Sequence, residues 1–114
     1  MPDVRRVGSK AEDQAAEYLL GLGYSLVTRR YRGGGGEIDI IAWDGDVLVF
    51  VEVKFRRSGL VAPEAAVDQR KMSRLASAVD SYLASMGGID VQVRYDVIGI
   101  GPNGLLHLVD AFRP

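Results

Sequence analysis

The chain has 114 residues, 47% hydrophobic and 25% charged, a balance that suits one folded domain over residues 1–114 and excludes disorder. It has no cysteine and one histidine, so disulfides are excluded and any zinc site would have to be mostly carboxylate. Fourteen basic and fifteen acidic residues leave a formal charge of −1, which by itself gives no support to a nucleic-acid partner.

No apolar stretch follows the basic residues Arg5 and Arg6, and the longest apolar run is Val47 to Val51. That is far short of the ~18–20 residues that span a bilayer, so a soluble cytoplasmic protein is expected. In chain order, Gly8, Ala11, Ala15, Leu19 and Leu22 recur at helical spacing and predict a helix from Val4 to Leu22, stopped by Gly21 and Gly23. Tyr24 to Tyr31 reads as a strand that runs into Arg29, Arg30 and Arg32. The glycine run Gly33 to Gly36 lacks the following Gly-Lys-Ser/Thr of a phosphate loop and enters a strand, so it reads as a flexible turn. Glu37 to Trp43 and Val47 to Arg57 are strands around an Asp44-Gly45 turn. Pro63 stands near the start of a helix through Glu64, Val67, Leu75, Val79, Tyr82 and Met86, which Gly87-Gly88 ends. Val91 to Ile100 and Leu105 to Phe112 complete the series as strands. The order α-β-β-β-α-β-β predicts an α/β fold, a central mixed sheet flanked by helices.

The third strand is apolar on both faces at its start, as a buried central strand is, and then carries Glu52, Lys54 and Arg56 on one face. Charges there are costly unless they are paired or bound to something. A turn at Asp44-Gly45 pairs Trp43 with Asp46, which places Asp39 opposite Phe50 and Glu37 opposite Glu52. In that register Glu37, Asp39, Glu52 and Lys54 share a face, and Asp39 and Glu52 are diagonal neighbours about 7–8 Å apart at the backbone. Two carboxylates with a lysine beside them suit Mg²⁺ or Mn²⁺ and phosphoryl chemistry, and equally a salt-bridged patch on an ordinary sheet.

Gly36-Glu37-Ile38-Asp39-Ile40-Ile41-Ala42 followed by Val49-Phe50-Val51-Glu52-Val53-Lys54 resembles the paired motifs of the YraN-like family. That family belongs to the PD-(D/E)XK nuclease superfamily and is similar to archaeal Holliday-junction resolvases. Gly8, Glu12, Ala15, Tyr18 and Leu19, then Val67 and Lys71, then Arg94-Tyr95-Asp96-Val97 extend the likeness over nearly the whole chain. The resemblance implies a restriction-endonuclease-like core and a single nuclease-like domain. It implies that Asp39 and Glu52 ligate Mg²⁺ or Mn²⁺, that Lys54 is the catalytic lysine, and that Glu12 completes the acidic set. Glu37 is either an accessory acid or a brace for the glycine turn. Of Gln69 and Lys71, which cannot share a helix face closely, Lys71 matches the motif. Arg30, where the family commonly has asparagine, and the extra glycines Gly33 to Gly35 depart from the pattern.

Twelve of the fourteen basic residues lie in the first 74 positions, so charge is concentrated where the site is expected. Arg30, Arg32, Arg56 and Lys71 are the expected DNA contacts. Tyr31 and Trp43 read as packing residues, and His107, between Leu106 and Leu108, as structural. The implied activity is metal-dependent cleavage of DNA phosphodiester bonds, on branched or structured DNA by analogy with the resolvases, with a homodimer allowed by the same analogy. The competing expectations are a catalytically silent DNA-binding or scaffold module with a nuclease fold, and an interaction protein with a surface ion-pair network.

Overall fold

Small residues bring the first helix onto the sheet. In a computed structural model describing residues 4–56 and 69–114, helix α1 (Val4–Gly21) buries Ala11, Ala15, Ala16 and Leu19. With almost no side chain at the alanines, the helix axis approaches the strands closely. Its end is a capping motif in which the Tyr24 N–H donates to the Leu19 carbonyl and the Gly23 N–H to the Leu20 carbonyl, with Gly23 at φ +94°. A left-handed residue at that position favours glycine, which is why the helix stops there.

Strands β1 (Ser25–Gly33), β2 (Gly36–Asp44) and β3 (Val47–Phe55) form an antiparallel meander. Helix α2 (Gln69–Ser85) lies between β3 and β4 (Gln92–Gly101) in the chain, and these two strands pair in parallel. Strand β5 (Gly104–Leu108) closes the sheet antiparallel to β4. The spatial order is β1-β2-β3-β4-β5, so β3 is central, as its two apolar faces require. The element order is the one expected, and the architecture is that of a restriction-endonuclease-like fold. Arg57, Pro63, Glu64 and Val67 lie outside the described residues.

Two cores share the sheet. Val49 and Val51 pack with Ile40, Ala42 and Ile98 beneath α1, while Leu48 and Phe50 pack with Ile38, Ile41, Leu75, Ala78 and Val79 beneath α2. Burying a side chain such as Phe50 stabilises the fold by roughly 1.5–3 kcal/mol, so β3 anchors both layers. Tyr31, Trp43, Tyr82, Leu83 and Met86 pack around the second core, in keeping with a packing role. No helix among the described residues is long and apolar enough to cross a membrane.

Four local readings are corrected. The β2–β3 turn is Gly45-Asp46, bracketed by the Asp44–Val47 pair, so Ile40 faces Val51 and the strands are offset from the expected register. Both dipeptides are good turn formers, and Gly45 supplies the left-handed conformation at φ +59°. The alternation of β2 also breaks at Asp39, because Ile38 packs under α2 while Ile40 packs under α1. Glu37 and Asp39 are therefore not two steps along one regular face. The glycine run is a tight turn rather than a flexible one: Gly33 pairs with Gly36, and Gly34 and Gly35 have φ of +59° and +82°. A Cβ on Gly36 would lie 2.0 Å from the Arg74 carbonyl oxygen, and one on Gly34 would lie 2.4 Å from that of Ser77. The glycines thus seat the hairpin directly on the backbone of α2. Finally, β5 stops at Leu108, short of Phe112, because the Asp110 N–H turns to the Asp96 carboxylate with Asp110 at φ +55°.

Candidate active site

Strands β2 and β3 part company at the carboxylates. Their ladder ends at the Ile40–Val51 pair, and the next pair in that register would be Asp39 with Glu52. Instead of a strand carbonyl, the Asp39 carboxylate accepts the Val53 N–H at 2.8 Å. Continued one step, that register sets the two acids opposite each other rather than diagonal as expected, close enough for the charge of Glu52 to act on Asp39. Burial, then the charge of Glu52, pushes the Asp39 carboxyl up to about 8, against the pull of the Val53 N–H. Two carboxyls in such contact are stable only while they share a proton or a cation.

Each helix sends one charged side chain to this point. Glu12 on α1, with its side chain only 12% exposed, adds its charge to the field around Asp39. It is gripped by Arg30, whose Nε lies 3.2 Å from both carboxylate oxygens, and lies 3.7 Å from Arg29 Nη2. Arg30 reaches it by an irregular backbone at φ +55°, at the position where the β1–β2 register skips the Arg30–Asp39 pair. From α2, Lys71 forms an ion pair with Glu52, a carboxylate that is 5% exposed. Lys71, expected as a DNA contact, is thus a partner of the proposed ligand. Lys54 lies two residues beyond Glu52 on β3, half-buried, and makes no ion pair among the described residues.

The other expected residues are more dispersed. Glu37 pairs with the exposed Arg32 at 3.7 Å across the glycine turn, which is the bracing arrangement. Gln69 is exposed at the first described turn of α2, and Arg56 is half-buried just past the end of β3, its N–H bonded to the Ile100 carbonyl. Arg32, Glu37, Glu52, Lys71, Arg74 and Leu75, with the glycine turn, enclose a cleft of about 590 Å³ that opens beside Glu52. Arg74 is not among the residues expected at the site. Its helical spacing from Lys71 is the signal that could have found it, since i and i+3 share a helix face.

Among the described residues, no three His, Cys, Asp or Glu side chains converge closely enough to hold a metal ion. The donor set nonetheless fits Mg²⁺ or Mn²⁺, which are commonly held by one or two carboxylates plus water and substrate phosphate. Asp39 and Glu52 are hard oxygen donors whose mutual repulsion a divalent ion would relieve.

A second polar cluster, away from these acids, is structural. Asp96 is fully buried, where desolvation opposes its charge, but hydrogen bonds from His107 and Arg94 prevail and hold its carboxyl below the usual range. Arg94 also bonds Asp44 and Tyr24, and Tyr18 meets the other ring nitrogen of His107 at 3.0 Å. The Arg94-Tyr95-Asp96 segment therefore ties α1, the β2–β3 hairpin and β5 to β4, and His107 is structural as expected.

A five-stranded mixed sheet between two helices, parting around a carboxylate pair with a lysine two residues on, defines a PD-(D/E)XK-like α/β protein. Residues 11–100 match the family described as "Uncharacterised protein family UPF0102". A UPF0102 protein of Symbiobacterium thermophilum is 47% identical over 105 residues, covering 90% of this chain and 89% of that protein. One of Geobacter sulfurreducens is 42% identical over 113 residues, covering 94% and 88%, and one of Persephonella marina is 39% identical over 106, covering 92% and 91%. The chain belongs to the UPF0102 family, the YraN family.

Proposed function

We propose that residues 1–114 form a single nuclease-like domain that hydrolyses DNA phosphodiester bonds with the help of Mg²⁺ or Mn²⁺. The observation that supports it is the placement of Asp39 beside Glu52 where two central strands separate. An ordinary sheet gains nothing from buried like charges, and such strain concentrates at functional sites. Asp39 and Glu52 would hold the ion, which supplies polarisation of the phosphoryl oxygen and acidification of a bound water. Lys54 is the lysine left to meet negative charge developing on the phosphoryl group, since Lys71 is engaged with Glu52. Glu12 sets the local field, and Arg30 holds it in place. The cytoplasm, which holds a bacterial cell's DNA, is the compartment this reading requires.

A second reading has its own observation. Lys71 supplies Glu52 with a cation from within the chain, which is what a catalytically silent DNA-binding module would use in place of a metal. A cleavage screen over linear, flapped and four-way-junction DNA with Mg²⁺ or Mn²⁺, with Asp39→Asn as control, separates the two. Cleavage by the wild type that Asp39→Asn loses supports the nuclease. Binding of DNA without cleavage, and without Mn²⁺ binding by calorimetry, supports the silent module.

A further inference from the structure

The cleft beside Glu52 has a charge balance of its own. Two of its cations are matched, Arg32 by Glu37 and Lys71 by Glu52, while Arg74 has no ion pair among the described residues. The surplus is one positive charge, which is the complement of one phosphodiester. The walls are the glycine turn on one side and α2 on the other, with Leu75 as the apolar component. Gly33 and Gly36 seat the hairpin against α2, and Gly35, with open space around its Cβ position, leaves bare backbone on the turn side of the cleft. At about 590 Å³ it falls within the range of small-molecule sites, roughly 300–1,000 Å³, and is the size for one nucleotide.

We propose that this cleft is a subsite for one unpaired nucleotide, held through its phosphodiester by Arg74, so that the substrate carries a single-stranded stretch next to the carboxylate pair. A base-paired nucleotide cannot enter, because stacking and pairing hold it in a wide, stiff duplex. An unpaired strand turns a sugar and phosphate inward at little cost, which makes strand pairing the basis of selection. The proposal rests on the nuclease reading for the identity of the polymer and extends it by naming the strand state that the site accepts.

The test reads binding without catalysis. Fluorescence anisotropy in EDTA at low salt compares a labelled thymidine oligonucleotide with a blunt duplex of equal phosphate count. The single strand is expected to bind at least ~10-fold more tightly. Arg74→Glu is expected to remove most of that preference, while Arg113→Glu, a charge-matched change at a side chain 85% exposed, leaves it intact. Arg74 is on the surface of α2, and unchanged melting temperatures confirm that both variants fold. Equal binding of the two DNAs, or equal losses in the two variants, overturns the subsite. Binding of neither DNA overturns the subsite alone, since the nuclease reading is decided by the cleavage screen with Mg²⁺ or Mn²⁺. Selective single-strand binding by a protein that cleaves nothing in the substrate screen upholds the subsite and removes the nuclease.

Discussion

Arg30 holds Glu12 in a two-pronged grip, its Nε 3.2 Å from each carboxylate oxygen, and does so from a left-handed backbone at φ +55°. A non-glycine residue there costs of order 1–3 kcal/mol, and asparagine tolerates the conformation better than arginine. The grip neutralises an acid that otherwise adds to the charge at Asp39. Arg30→Asn therefore relieves backbone strain while it leaves Glu12 with only the longer Arg29 contact. The two effects oppose each other in stability, and the melting temperature is expected to move by less than ~4 °C, the equivalent of about 1 kcal/mol. Mn²⁺ binding measured by calorimetry should become several-fold tighter, because uncompensated negative charge at the site has increased. Weaker binding in the variant would show that Arg30 supports the metal site instead of restraining Glu12.

The raised Asp39 carboxyl links stability to pH. Its value in the folded chain, about 8, lies above the ordinary 3.8, so between those limits the folded state holds a proton that the unfolded state has released. The contribution of Asp39 to stability is therefore greatest below pH ~4 and falls as pH rises toward 8. Asp39→Asn keeps an oxygen for the Val53 N–H but removes the titration. In EDTA the variant should melt close to wild type at pH 4 and above it at pH 8, by at least the ~4 °C that 1 kcal/mol produces. Saturating Mn²⁺ should narrow the gap at pH 8 by stabilising only the wild type, about 2.7 kcal/mol at 100 times its dissociation constant. Parallel melting curves across the pH range would refute the carboxyl coupling.

The two lysines near Glu52 should separate by readout. Lys71→Met leaves a buried carboxylate without its partner; with Lys71 39% exposed, solvent screening limits the cost to about 1–2 kcal/mol. Adding Glu52→Gln should recover most of that loss in a double-mutant cycle on urea unfolding. Lys54→Ala, which breaks no ion pair among the described residues, should stay within ~0.5 kcal/mol of wild type. In the cleavage assay the same Lys54 variant should lose ~100-fold or more, the scale of one transition-state contact. A Lys54 variant that is unstable but still cleaves would reverse the assignment.

The layered fold was legible because its signals are local. Val47 to Val51 is apolar toward both cores, Gly23 stops α1, and the acid–lysine spacing of β3 survives any register. The relations between elements were harder to read. Asp44-Gly45 and Gly45-Asp46 are equally good turns, and only packing selects the second, which sets Asp39 and Glu52 opposite each other. The left-handed Arg30 has no sequence signature, since arginine rarely adopts that conformation. The Lys71–Glu52 pair depends on how far α2 sits from β3, a distance set by a contact between a turn and a helix 38 residues apart at Gly36 and Arg74.

That contact makes Gly36 a spacer for the site. A methyl group there would fall 2.0 Å from the Arg74 carbonyl oxygen and 3.3 Å from the Ala78 Cβ, so α2 or the hairpin must move. Backbone cannot yield as a side chain does, and Gly36→Ala should destabilise by about 1–3 kcal/mol or more. Gly35 is the internal control: it is left-handed at φ +82° but has open space around its Cβ position. Gly35→Asn, which tolerates that conformation, should cost less than ~1 kcal/mol in the same urea series. Displacing α2 also displaces Lys71 and Arg74, so Gly36→Ala should lower the affinity for single-stranded DNA at temperatures where the variant remains folded. A Gly36→Ala protein as stable as Gly35→Asn, with unchanged DNA affinity, would mean that the turn does not set the spacing between α2 and the carboxylates.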